Sequence, residues 1–482
     1  MESNVQRKTG SQRFGVLVVC LIALACALWL AHEFSPGFMS DDTLYQYRQA
    51  MGLAALNNTH PIIMAMLWRF LARVSDSTGT MLLFHQLLYW STITLFVLLV
   101  TKRLAYRIGL LLAIGFCPPL VIISLHIWKD VGMMCALALA CATLLGYIRY
   151  RHWAWLVVTA LALFYAVAVR INGFIPALFL LFFFAYVVVD RLKLGAMKKA
   201  ALGALMVAAL SLSYFQSIAA LNAKITEKSY VLGTLLVWDL AEISLAKGED
   251  VMPAYILRVG TGPVLKDLAR VRVREANYPL WAVISPFPAQ EYQSRLLPDW
   301  LSVVAANPAA YLKHRGHVFL TMLGIGTPKT YYPYHPGIDN NEFGFKFNHI
   351  TEQKAGSYFR GFDRLAATPF YKVWVYLLLC VVTFVITCRR LWRMDGKKDE
   401  NALAAAVALS GIANMGSLFF LATAADYRYA IWTVFAGIIS GVLAGAGTVK
   451  AWSERKAEMA NSKKTQTGVG VLPISHSRKL LK

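Results

Sequence analysis

Phe14–Ala31 reads FGVLVVCLIALACALWLA, an unbroken apolar run with no charged residue. About 20 such residues are what an α-helix needs to cross the ~30 Å hydrocarbon core of a bilayer. Arg7, Lys8 and Arg13 precede the run, and basic residues mark the cytoplasmic flank of a span. A cleavable signal peptide has a similar look, but further runs follow, so the first is expected to be an anchor leaving the cytoplasm.

Working outward, each later run ends on a telling residue. Met81–Val100 returns to Lys102-Arg103, and 108–125 exits into His126-Ile127-Trp128-Lys129-Asp130. The next run comes back to Arg149-Tyr150-Arg151, 154–169 exits at Arg170-Ile171-Asn172-Gly173, and 174–189 returns to Arg191, Lys193, Lys198 and Lys199. Residues 200–217 exit, 371–388 return to Arg389-Arg390, 402–423 exit to Asp426-Tyr427-Arg428-Tyr429, and 430–449 end at Lys450. About ten spans put every basic short loop, and both termini, on the cytoplasmic side. The fold class is an all-α polytopic membrane protein.

Between the runs lie three kinds of segment. The first outer loop, 33–80, carries Ser40-Asp41-Asp42, then Leu44, Tyr47 and Met51 at helical spacing, then a short basic helix over Pro61–Ala72 held at the outer surface. It belongs to an N-terminal membrane domain, 1–217. Residues 218–370 are hydrophilic and rich in Pro, Tyr and Trp, long enough for a mixed or mostly helical external domain. Within it, His317–Ile325 is too short to span and reads as peripheral. The C-terminal spans occupy 371–449, and 450–482 is a basic cytoplasmic tail expected to be disordered.

Composition agrees. Of 482 residues, 57% are hydrophobic and only 15% charged, where a soluble domain carries about 25%. The net charge of +22 sits at span ends and in the tail, which excludes nucleic acid as a partner and makes the lipid bilayer the natural one. The seven cysteines, Cys20, Cys26, Cys117, Cys135, Cys141, Cys380 and Cys388, fall in or beside apolar runs, and 218–370 has none. They form neither a disulfide framework nor a zinc site.

The outer ends of the spans collect the chemistry: Asp41, Asp42, His60, Lys129, Asp130, Arg170, Asp426 and Arg428. Ionisable groups beside apolar spans are costly and need a partner or a purpose. One of Asp41 and Asp42 suits a helix N-cap; the pair also suits a general base for an incoming hydroxyl. Arg170 and Arg428 present planar donor forks that match phosphate oxygens. Lys129 on its own reads as an interfacial anchor, and His60-Pro61 as a turn.

Taken in order, Ser40-Asp41-Asp42, Asn58-Thr59-His60-Pro61, Trp128-Lys129-Asp130, Arg170-Ile171-Asn172-Gly173 and Asp426-Tyr427-Arg428-Tyr429 resemble the GT-C superfamily of membrane glycosyltransferases. That group includes aminoarabinose transferases, protein O-mannosyltransferases and O-antigen-modifying enzymes. The resemblance implies a multi-pass protein of a bacterial inner membrane that takes a polyprenyl-phosphate sugar as donor and a cell-envelope glycan or lipid as acceptor. It implies that Asp41 or Asp42 is the catalytic base, that Asp130 is the second acid, and that Lys129, Arg170 and Arg428, with His60, bind donor phosphate or substrate. No metal ligands are assigned and no cofactor is required, although two carboxylates could hold a divalent cation. Trp238, Trp281, Trp300, Tyr331, Tyr332 and Tyr334 suit sugar stacking or a small core. A lipid or solute transporter, and an O-antigen polymerase or ligase, are the competing readings; the one-sided placement and the acidic first loop disfavour them.

Overall fold

Lipid offers no partner for backbone amides, so the apolar runs must satisfy them internally as helices. The computed structural model describes residues 2–75, 79–228, 230–285, 292–393 and 398–446; the basic tail lies outside the described residues. Helices in chain order are α1 (Glu2–Glu33), α2 (Asp41–Met51), α3 (Ile62–Val74), α4 (Thr80–Val100), α5 (Leu104–Gly115), α6 (Pro118–Ser124), α7 (Lys129–Tyr150), α8 (Ala154–Val169) and α9 (Phe174–Val189). There follow α10 (Ala196–Asn222), α11 (Val231–Lys247), α12 (Val264–Val271), α13 (Gln293–Ala306), α14 (Pro308–Leu323), α15 (Glu352–Ala366), α16 (Val373–Trp392), α17 (Lys398–Leu421) and α18 (Tyr427–Ala446). The described residues contain isolated β-bridges but no strand.

Eight of these helices, α1, α4, α7, α9, α10, α16, α17 and α18, are long and apolar enough to cross a membrane. The third and fifth expected spans differ from the rest. The third is broken into α5 and α6, which meet at 65°, because Pro118-Pro119 lack amide donors and bar the preceding residue from helical geometry. The fifth, α8, has 16 residues, about 24 Å at 1.5 Å per residue.

Helix α7 is the axis of the bundle, with 89% of its apolar window buried, whereas α10 is a rim helix at 11%. Small residues make that axis possible: a Cβ on Gly146 would stand 2.8 Å from the Trp155 ring of α8, so glycine lets the two helices approach. Ion pairs Arg149–Glu400 (3.7 Å) and Arg151–Asp399, with Arg390 donating to the Ala444 carbonyl (2.9 Å), bring one set of helix ends together. The opposite ends carry the acids and arginines singled out above.

The segment after α10 folds as helices α11–α15. Its centre is a buried polar knot: Asp239 pairs with Arg315 (2.6 Å) and accepts from the Trp300 indole (3.0 Å), while Glu242 pairs with Arg272. Trp238 and Trp300 therefore belong to this core. His317–Leu323 form the last turns of α14, a helix not among those long and apolar enough to cross a membrane; its Val318 and Met322 are buried, and it packs on α16 and α17. Arg315 donates to the Ala422 carbonyl (2.7 Å), and Ala276 bridges Ala424, tying this segment to the turn before α18.

Candidate active site

Three chain segments meet to build the site. Phe38 bridges His126 and Met39 bridges Ile338, both in parallel fashion. Gly37 makes the first junction possible. Its φ of 109° is closed to most side chains, and a Cβ there would lie 2.8 Å from Ile127. His126 fixes the junction from beneath: it stacks between Phe38 and Trp128, and its Nε2 accepts from the His335 amide (3.0 Å).

From this junction α2 starts. Ser40 takes the N-cap position, but its hydroxyl accepts from the Trp128 indole (2.9 Å) instead of capping. Asp41 and Asp42 are the first two helical residues, so the expectation that one of them is the N-cap is wrong. Their charge still complements the helix N-terminus. The Asp41 amide donates to Asp339 Oδ2 (2.9 Å).

The acids and cations, Asp130 excepted, line one cavity of about 900 Å³. Arg428 is shared by two carboxylates, Asp42 Oδ2 at 3.1 Å and Asp426 Oδ2 at 3.2 Å, and lies over the Trp128 ring. Arg170 is held by both oxygens of Asp130, at 2.9 and 3.0 Å, and lies over Tyr429. The Lys129 ammonium approaches His60 Nδ1 at 3.4 Å, and His60 Nε2 is 4.0 Å from Asp42 Oδ1. Among the described residues, Lys129 has no carboxylate within ion-pair distance.

Electrostatics sort these groups. Burial pushes the Asp42 carboxyl up, but Arg428, His60 and Lys129 outweigh it and hold it well below the usual range. Burial dominates at Asp426 and raises it, with Asp42 and Asp130 adding repulsion. Of the two acids on Arg428, Asp42 is thus the firmly ionised one. Burial and the Lys129 charge press His60 down to about 3, so it is a neutral imidazole. A lysine can only donate; Nδ1 therefore accepts, and the His60 Nε2–H faces Asp42.

The structure brings Asp41, Asp42, His60, Lys129, Arg170 and Arg428 to the cavity. Asp130 is the exception: it is fully buried and stands behind the wall as the counter-ion of Arg170. Arg428 commits Nε and Nη1 to carboxylates and Arg170 commits Nη1, whereas Lys129, the residue read as an anchor, is the cation without an acid. Of the aromatics, Trp281, Tyr331 and Tyr332 line the cavity, whereas Tyr334 packs against Phe359 and Phe362.

Asp339 escaped the sequence reading. Its surroundings, Pro336-Gly337-Ile338-Asp339-Asn340-Asn341, carry an obvious turn signature, but nothing local announces that the turn lands on Asp41. Asp339 Oδ1 pairs with His335 (3.2 Å), whose Nδ1 meets the Tyr332 hydroxyl at 2.6 Å.

The cavity lining also has apolar members: Val167, Ile218, Leu232, Leu235 and Leu421, drawn from α8, α10, α11 and α17. Among the described residues no group of three or more His, Cys, Asp or Glu is placed to hold a metal ion. Comparison with known protein families and with curated proteins finds no match.

Proposed function

We propose that the chain is a glycosyltransferase of a bacterial inner membrane that moves a sugar from a polyprenyl-phosphate donor to a hydroxyl of a cell-envelope glycan or lipid. The observation that carries this reading is the mixed lining of the cavity. Apolar side chains, among them Ile218 and Leu421 of helices able to cross a membrane, share it with Lys129, Arg170 and Arg428 and with the carboxylates of Asp41 and Asp42. An amphiphile with an anionic head and a reactive sugar fits such a lining.

A sugar on a phosphate has a leaving group that departs already charged, so cations rather than a general acid assist it. Lys129 is the cation free to take the phosphate; Arg428 joins by sharing its fork. Asp42 sits on Arg428, hence on the phosphate side. The Asp41 carboxylate has no hydrogen bond or ion pair among the described residues, which leaves its lone pairs for an acceptor. Asp41 takes the proton of the acceptor hydroxyl while the acceptor's oxygen bonds to the anomeric carbon. The bond from that carbon to the phosphate oxygen breaks, and the electron pair leaves with the lipid phosphate. Attack opposite the leaving group inverts the anomeric centre.

The test is a mass comparison of envelope glycans from cells carrying the wild-type gene, no gene, or Asp41→Asn. A one-sugar increment that depends on the gene and disappears in Asp41→Asn is expected. An increment retained in Asp41→Asn, in Asp42→Asn and in the double variant overturns the mechanism. Loss of long chains in place of a single sugar unit would move the assignment to a polymerase or ligase.

A further inference from the structure

A second, smaller cleft of about 260 Å³ adjoins the cavity. Asp41, Asp42 and His60 line both spaces, so the acidic pair is their common wall. The other lining residues of the small cleft are Leu44, Tyr45, Arg48 and Asn340. Asp41, Leu44, Tyr45 and Arg48 follow one another at helical spacing and so share one face of α2. Among the described residues, no helix long enough to cross a membrane contributes to this cleft. It therefore has no share in the apolar lining of the large cavity.

The cleft presents two carboxylates, has no unpaired cation among the described residues, and is rich in free hydrogen-bonding groups. Arg48 is neutralised by Glu342 through two bonds of 2.7 and 2.5 Å. The Tyr45 oxygen accepts from the Asn57 amide at 2.7 Å, which leaves its O–H free to donate. The Asn340 side chain is exposed and has no hydrogen-bond partner among the described residues. Donors and acceptors of this kind, with the Tyr45 ring beside them, suit hydroxyl groups. With Arg48 already paired and Asp41 adjacent, an anion has no unpaired cation to meet.

We propose that this cleft is the acceptor subsite and holds a single uncharged sugar ring, presenting one hydroxyl to Asp41 from the side opposite the lipid phosphate. The inference rests on the glycosyltransferase reading and adds to it the direction of approach and the charge of the acceptor. The two substrates then meet only across the acidic pair.

The experiment uses the purified full chain in detergent with two probes. The first is undecaprenyl phosphate, read by thermal stabilisation; the second is a panel of methyl glucosides, galactosides and mannosides, read by saturation-transfer NMR. Asn340→Trp fills the cleft from an exposed loop and is expected to cut the glycoside signal by about five- to tenfold, the loss of one or two hydrogen bonds. It should leave stabilisation by undecaprenyl phosphate unchanged, which also shows that the variant is folded. Lys129→Gln should do the reverse. Three outcomes overturn the subsite: glycoside signals that survive Asn340→Trp, signals displaced by undecaprenyl phosphate, or no signal from any glycoside. Failure of undecaprenyl phosphate to stabilise the wild-type chain instead overturns the donor reading, whichever way the glycoside result falls.

Discussion

Replacing Lys129 by glutamine tests the division of labour among the three cavity cations. Arg170 is occupied on both oxygens of Asp130, at 2.9 and 3.0 Å, and Arg428 is divided between Asp42 and Asp426. A phosphate drawing on either must compete with a carboxylate already in place. Lys129 faces a neutral His60, so its contact with an arriving phosphate is not offset by one lost. A hydrogen bond to a charged group is worth about 1.5–3 kcal/mol, which corresponds to about a ten- to hundredfold weaker affinity for undecaprenyl phosphate. The companion Asp42→Asn change removes one of the two competitors for Arg428 and should tighten binding by about two- to tenfold. Titration of the purified protein in nanodiscs by calorimetry reads both. If Lys129→Gln binds within about twofold of wild type, the unpaired ammonium is not the anchor and the ranking of the cations is wrong.

Three further outcomes follow from the geometry. Asp130→Asn strands the Arg170 charge and should cost about 3–5 kcal/mol in equilibrium unfolding, with Asp130→Asn/Arg170→Gln recovering part of it; simple additivity of the two single changes contradicts a buried pair. His60 is depressed to about 3 in the fold against 6.5 in the free side chain, so the unfolded chain binds the extra proton between those values and stability falls as pH drops through that window. His60→Asn should flatten the stability curve between pH 6.5 and 4 by up to about 1.4 kcal/mol per pH unit, and an unchanged slope refutes the neutral buried imidazole. Gly37→Ala forces a Cβ to within 2.8 Å of Ile127 at a φ of 109°; a loss of about 1–3 kcal/mol and a matching fall in glycan transfer are expected, measured by thermal unfolding and envelope mass.

The bundle and the gathering of Asp41, Asp42, His60, Lys129, Arg170 and Arg428 were legible for one reason. Span length and the alternation of basic ends fix which helix termini share a face, and those residues all sit at such termini. What the termini do to each other was not legible. Whether Arg428 meets Asp42, Asp426 or neither depends on separations of a few ångströms set by packing around Trp128 and Tyr429. The roles of Lys129 and the arginines exchanged for that reason. The break at Pro118-Pro119 was visible in principle, since adjacent prolines inside an apolar run forbid a straight helix. Asp339 was beyond reach, because a turn signature predicts a bend in the chain but not the distant amide on which it lands.

That landing sets a schedule for the growing chain. The backbone of Met39 is held by Gly337 and Asp339, and the Asp41 amide by the Asp339 carboxylate. At roughly 5–20 residues per second, the ribosome reaches this clasp about 15–60 s after it has passed the acidic pair. During that interval the early helices are available to the lipid while the first outer loop still lacks its closing partner. The candidate site is therefore completed late in synthesis, and a nascent chain stalled before Asp339 holds both carboxylates without the partner that fixes them.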